Sequence, residues 1–298
     1  MGIFMRILTV IFYDDLHQLR MQALTLEKNW KGKKAWTIVI ENKDPEVQQV
    51  HFDWIQENVV PVMPDWDLDI VRGDSAYDGP GWIRQQIFKL YYSSLIQDDW
   101  VLVLDAKNFL INHADESTFI KSDGIFKFVT GVQDQFHKDL VEESKLIVGV
   151  TEEIPYPSAM TPWVWNTHDL RSLFQHINFS KDHWPYEKVT EFGIYWAWAY
   201  NKHNWVDYTS LISGFWGNDT DEARCRYLAN KANNTYIFWV HHRYAYGDML
   251  RELTAKVLER SGITREDTNN WNREYRYLLK HKREDIVIDN DQRTPQFK

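Results

Sequence analysis

The sequence predicts an α/β domain: a mainly parallel sheet flanked on both faces by helices. Three observations carry that expectation. Short, fully apolar runs end abruptly in polar residues; amphipathic helical segments lie between them; and the two kinds alternate through the first third of the chain. Strands covered on both faces read as unbroken apolar runs, and strand–helix–strand order joins parallel strands through crossover helices.

The elements follow in order. Residues 6–13, RILTVIFY, form the first buried strand, ended by Asp14 and Asp15. Leu16, Leu19, Ala23, Leu24 and Leu26 then recur at helical spacing, and the helix stops at Lys31-Gly32-Lys33-Lys34. AWTIVI, residues 35–40, is the second strand, and Pro45 opens a helix whose apolar face runs Val47, Val50, Trp54, Ile55. Pro61, Pro64, Gly73, Gly79, Pro80 and Gly81 predict that residues 61–81 are mainly loop. A helix over 82–96 and a strand WVLVLD over 100–105 follow.

The second half is less regular. A strand is expected over 125–132, a helix over 138–147, and a loop that ends in TPWVWN, residues 161–166. A helix over 168–177 is capped by Thr167 or Asn166. Further expectations are a helix near 189–201, a strand over 205–211, a helix over 219–231 and a strand over 236–240. Two charged helices separated by Ser261-Gly262 and a loose polar tail over 284–298 complete the chain. No internal repeat or low-complexity linker interrupts it, so residues 1–247 read as one domain and 248–298 as its helical C-terminal extension.

Composition removes several classes of function. The 43 acidic and 34 basic residues leave a net charge of −9, so no basic excess exists to neutralise a phosphate backbone, and nucleic acid is not an expected partner. One cysteine, Cys225, allows no intrachain disulfide and no cysteine zinc cage. A reducing, cytoplasmic setting is the expectation, and no apolar run approaches the ~18 residues of a transmembrane helix. No Gly-x-x-x-x-Gly-Lys-Ser/Thr phosphate loop occurs, and Gly79-Pro80-Gly81 is not a dinucleotide fingerprint. Tryptophan, tyrosine and phenylalanine number 15 each. That surplus reads either as core or as flat platforms for sugar rings, with Trp163 and Trp165 on the loop and Trp196 and Trp198 on a helix as candidates.

The strongest chemical signal is the pair GWIRQQIFKLYYS (81–93) and WVLVLDAKNFLI (100–111). A strand that stops at Asp105 sets a carboxylate at the carboxyl edge of a parallel sheet, where ligands of open α/β sheets bind. Asp105, Lys107 and Asn108 form a polar cluster there; the alternative is that Asp105 caps a turn. On the preceding helix Arg84 offers a fork of donors for a phosphate or base edge, with Gln85 beside it. Lys89 alone reads more readily as a solvated position.

These residues resemble the nucleotide-sugar glycosyltransferases of the GT-A fold, and more narrowly a family of unknown function within that superfamily. The resemblance rests on Gly81-Trp82-x-Arg84-Gln85-Gln86-x-x-Lys89-Leu90 and on Leu104-Asp105-Ala106-Lys107-Asn108. It implies a GT-A-like, Rossmann-like sheet, a nucleoside-diphosphate sugar as donor, and a glycan or other hydroxyl acceptor. It also implies a donor site at Phe12, Tyr13 and Asp15 after the first strand, with Arg84, Gln85, Lys89, Asp105, Lys107, Asn108 and Arg243. Asp15 reads equally as a helix N-cap. In the superfamily an Asp-x-Asp motif holds Mn²⁺ or Mg²⁺ on the diphosphate; here the second Asp is Lys107, which puts the metal in doubt and sets an ammonium where it would be. A metal set, if present, is Asp105, Asn108 and His241 or His242. Glu191, opening the segment EFGIYWAW, is the implied general base of an inverting transfer, or else a first-turn carboxylate on a helix dipole. Two other classes stay open: a catalytically silent sugar-binding protein and another α/β nucleotide enzyme such as a nucleotidyltransferase.

Overall fold

The computed structural model describes residues 3–12, 15–74, 76–77, 79–120, 126–128, 135–157, 161–182, 184, 189–207, 211–215, 221–242 and 248–274. Tyr13, Asp14 and Arg243, and the expected tail over 284–298, lie outside them.

Strands β1 (Met5–Ile11), β2 (Ala35–Ile40), β3 (Asp67–Arg72), β4 (Trp100–Leu104) and β7 (Trp163–Asn166) form one sheet in the order β3-β2-β1-β4-β7. The first four are parallel and β7 is antiparallel to β4. The expected mainly parallel sheet is therefore present. Alternate residues of each strand feed opposite cores, as the period-2 pleat requires. Leu8, Val10, Val101 and Val103 pack with Trp163 and Trp165 on one face. Ile7, Ile11, Leu102 and Leu104 pack with Trp36 and Ile38 on the other.

Helices α1 (Leu16–Asn29), α2 (Pro45–Asn58) and α3 (Gly81–Leu95) cross between the parallel strands. Leu19, Leu26 and Ile55 cover one face; Ile83, Ile87 and Leu90 cover the other. Helices α4 (Gln135–Val148), α5 (Thr167–Ile177) and α6 (Glu191–Ala199) thicken that second face, and Ile194, Tyr195 and Trp196 of α6 are fully buried. Capping fixes where helices start: Asp44 accepts from the N–H of Glu46 ahead of Pro45, and Asn166 from that of Asp169.

A second sheet, β5 (Asn108–Leu110), β10 (Phe238–His241) and β9 (Ile212–Phe215), runs in the order β5-β10-β9. Its core adds α7 (Glu222–Thr235) and α8 (Asp248–Arg260), with Val257, Leu258 and Trp271 fully or almost fully buried. A parallel pair, β6 (Phe126–Phe128) and β8 (Trp205–Asp207), completes the strands. Helix α8 and the helical turns over 265–274 match the expected tail helices, split by Ser261 and Gly262, as far as the described residues run.

Two expectations are corrected, and one open alternative is decided. The stretch 61–81 holds strand β3, whose Asp67, Leu68, Asp69, Ile70 alternation belongs to a sheet edge and was masked by the surrounding prolines and glycines. TPWVWN is not an exposed loop: Trp163 and Trp165 lie in β7 at 5% and 0% exposure. The tryptophan surplus is mainly core; among described tryptophans only Trp82 is exposed, at 41%.

Candidate functional site

The carboxyl ends of β1, β2 and β4 present Phe12, Glu41 and Asp105 along one edge, and α3 runs over them. Gln85 donates to the carbonyl of Val10 (3.3 Å), and the Arg84 guanidinium binds the buried carboxylate of Glu41. The start of α3 lies against Phe12: a Cβ at Gly81 would stand 3.2 Å from its ring. Asp15 sits at the N-cap position of α1 but makes no capping bond; its Oδ2 accepts from the N–H of Phe12 (3.2 Å), which ties down the loop after β1.

One turn of four residues carries the charge. Asn108 folds its side chain back so that Oδ1 accepts from the N–H of Asp105 (2.7 Å), while its amide nitrogen donates to the carbonyl of Thr161 (3.4 Å). The Thr161 hydroxyl accepts from the same Asp105 N–H (3.3 Å). From α1, Gln22 donates to the carbonyls of Asp105 (2.8 Å) and Asn108 (3.1 Å). The turn is thus pinned from two elements, and both Asp105 and Lys107 extend from a fixed backbone. The side chain that closes the turn is that of Asn108, and the Asp105 carboxylate meets two lysines instead.

Two ammonium groups share the Asp105 carboxylate. Lys89 Nζ is 2.7 Å from Oδ1 and Lys107 Nζ is 2.9 Å from Oδ2. Lys89 also donates to Glu191 Oε1 (3.1 Å) and lies 5.1 Å above the Phe192 ring. Glu191 opens α6, capped by Thr190, whose hydroxyl accepts from the N–H of Gly193. Its own N–H donates to Gln86 Oε1 (3.2 Å). Lys89 and Glu191 side chains are each 4% exposed, so Lys89 is not the solvated position that its spacing suggested. The spacing was uninformative because the partners lie 16 and 102 residues away.

The titration behaviour follows from the contacts. Burial works against the charge on Lys89, yet Asp105 and Glu191 outweigh it and raise its pKa. Burial would raise Asp105, but Lys107 and Lys89 outweigh it and hold its pKa well below the usual carboxylate range. Glu191 goes the other way: burial raises it, Lys89 opposes, and the Asp105 charge adds to the rise. Burial likewise raises Glu41 against the pull of Arg84.

The residues present do not fit a divalent ion. Both Asp105 oxygens already face ammonium groups, and Asn108 is fully buried with its amide engaged by the backbone. His241 does not join them: it is fully buried, pairs through Nδ1 with Thr254 (3.0 Å), and meets the Trp271 ring edge-on. Burial, with Arg251, His17 and His242 nearby, lowers its pKa to about 3. Among the described residues no group of three His, Cys, Asp or Glu side chains is placed to hold a metal. Glu41, Gln22 and Thr161 were not among the sequence candidates, and Gln86 stood in the motif of the resemblance without a role assigned to it. Glu41 alone had a readable signal, since it ends an apolar strand just as Asp105 does.

Comparison with known proteins agrees with this architecture. Residues 9–223 match the model of a family of unknown function, DUF6492. No curated protein matches the chain. Among solved structures, the apo WbbM bifunctional glycosyltransferase is 11% identical over 92% of this chain, with a TM-score of 0.52. This chain spans only 52% of WbbM. Apo mouse xyloside xylosyltransferase 1 is 10% identical over 81% of this chain and 98% of its own, with a TM-score of 0.43. The likeness to WbbM shows a shared GT-A-like fold. Among the described residues no helix is long and apolar enough to cross a membrane.

Proposed function

We propose that this chain, which belongs to the DUF6492 family, is a glycosyltransferase that moves a sugar from a nucleoside-diphosphate sugar to a hydroxyl acceptor. The observation that carries the reading is the pinned Asp105–Lys107 turn at the carboxyl edge of a GT-A-like parallel sheet. Lys107 is 28% exposed there, with Lys89 buried behind it. A fixed positive group at that edge suits a diphosphate leaving group, because preorganised charge stabilises the negative charge that grows in the transition state. Phe12 provides a ring for the base, Arg84 and Gln85 provide donors beside it, and the exposed Trp82 provides a face for a sugar. In the transfer, the bond from the anomeric carbon to the β-phosphate oxygen breaks and its electron pair stays on phosphate. The acceptor oxygen forms the new bond and gives up its proton to the departing diphosphate or to solvent.

For Glu191 the geometry favours a positioning role over the expected role as base. A base must reach the acceptor hydroxyl, and this carboxylate is buried and held by Lys89. Glu191 fixes Lys89, and Lys89 fixes Asp105. The test of the reading is a screen of nucleotide sugars for slow hydrolysis without acceptor. One donor class should release its sugar at a rate well above the background. A full panel left intact, together with no thermal shift from any nucleoside diphosphate, contradicts it in favour of another activity.

A further inference from the structure

We propose that the donor site works without a divalent ion: Lys107 supplies the positive charge against the diphosphate, Asp105 anchors it, and Lys89 is the buried second ammonium on the same carboxylate. The inference rests on the sugar-transfer reading above. A metal-binding carboxylate offers its lone pairs to the ion. Here the two oxygens already meet ammonium groups at 2.7 and 2.9 Å. A divalent ion placed on either oxygen would stand a few ångströms from a like charge, and the interaction of charges so close is strong in a partly buried site. Mg²⁺ and Ca²⁺ need about six or more oxygen ligands, and Asn108, the amide of the expected metal set, spends its oxygen on the Asp105 N–H.

The two lysines are not equivalent. Lys89 is 4% exposed and is shared between Asp105 and Glu191. Lys107 is 28% exposed and pairs with the other oxygen of the same carboxylate. It is therefore the ammonium that can turn to a phosphate oxygen without losing its place. The backbone behind it is held by Gln22, Asn108 and Thr161, so the group is oriented before a ligand arrives. Lys107 sets its charge against the one left on the departing phosphate.

The test is calorimetric titration of UDP, GDP and ADP into the full chain, in EDTA and in Mn²⁺. Wild type, Lys107→Ala and Asp105→Asn are compared. One diphosphate should bind wild type in EDTA within about threefold of its affinity in Mn²⁺. Lys107→Ala should lose about tenfold or more in EDTA, the usual scale for a hydrogen bond to a charged group. Asp105→Asn should bind in EDTA at least as tightly as wild type, because a negative charge beside the phosphates has gone. Binding that needs Mn²⁺ and disappears in Asp105→Asn overturns the proposal and leaves sugar transfer standing. A Lys107→Ala protein that binds like wild type in EDTA also overturns it. Failure of all three nucleotides in both conditions overturns this proposal and the sugar-transfer reading together.

Discussion

Replacing Lys89 by Met should cost about 3–5 kcal/mol of folding stability near pH 7, the scale for removing one partner from a buried ion pair. Methionine keeps an apolar stem of similar length and removes the ammonium, which pairs with Asp105 and Glu191 and lies 5.1 Å above the Phe192 ring. What remains is two carboxylates, Asp105 and Glu191, that face each other's field with only Lys107 to offset them. The pH dependence has a definite sign. Asp105 titrates below its unfolded value of about 3.9, so its contribution is present above that pH and is lost as pH falls through the folded value. The gap between wild type and Lys89→Met should narrow as pH falls through the raised range of Glu191, which protonates first once Lys89 is gone, and narrow further as Asp105 protonates. Adding Glu191→Gln to Lys89→Met should cost far less than Glu191→Gln alone, because groups in contact are not additive. Urea denaturation of the four proteins measures all of this; a Lys89→Met loss under about 1 kcal/mol contradicts the buried-pair account.

The second large effect is on turnover. Asp105→Asn should lower sugar transfer by about 10²–10³, the range seen when one preorganised electrostatic group is removed from a reacting centre. The side chain keeps its size, and the backbone contacts of Asp105 to Asn108, Thr161 and Gln22 do not involve the carboxylate. An amide cannot hold two ammonium groups as a carboxylate does, so Lys107 loses its fixed direction while the nucleotide still binds. Steady-state kinetics against nucleotide titration separates the two: kcat falls and affinity stays. An unchanged kcat would remove the turn from the chemistry.

What was legible in the sequence was local. AWTIVI reads as a strand because β-branched apolar residues covered on both faces need no alternation, and it is β2 over the same residues. WVLVL stops at Asp105 for the same reason that the edge of the sheet must meet water. The helix over 82–96 is α3, one residue earlier. What stayed hidden depended on distant contacts. Lys89 looks like any surface lysine until Asp105 and Glu191 are brought to it, and Glu41 needs Arg84 across the β2 tip. The resemblance implied a late histidine ligand, His241 or His242; for His241 the helix α8 and Trp271, farther along the chain, turn the position into core. Trp163 and Trp165 alternate with Val164 as strand residues do, yet the flanking prolines hid the pattern.

The central claim is that a nucleoside diphosphate occupies the carboxyl edge of the sheet. The most direct measurement is a crystal structure of the chain soaked with the diphosphate that binds best in EDTA. The phosphates should lie within hydrogen-bond distance of Lys107 Nζ, with the base beside Phe12 and Arg84. A nucleotide found elsewhere, with Phe12, Arg84 and Lys107 untouched, would contradict the account.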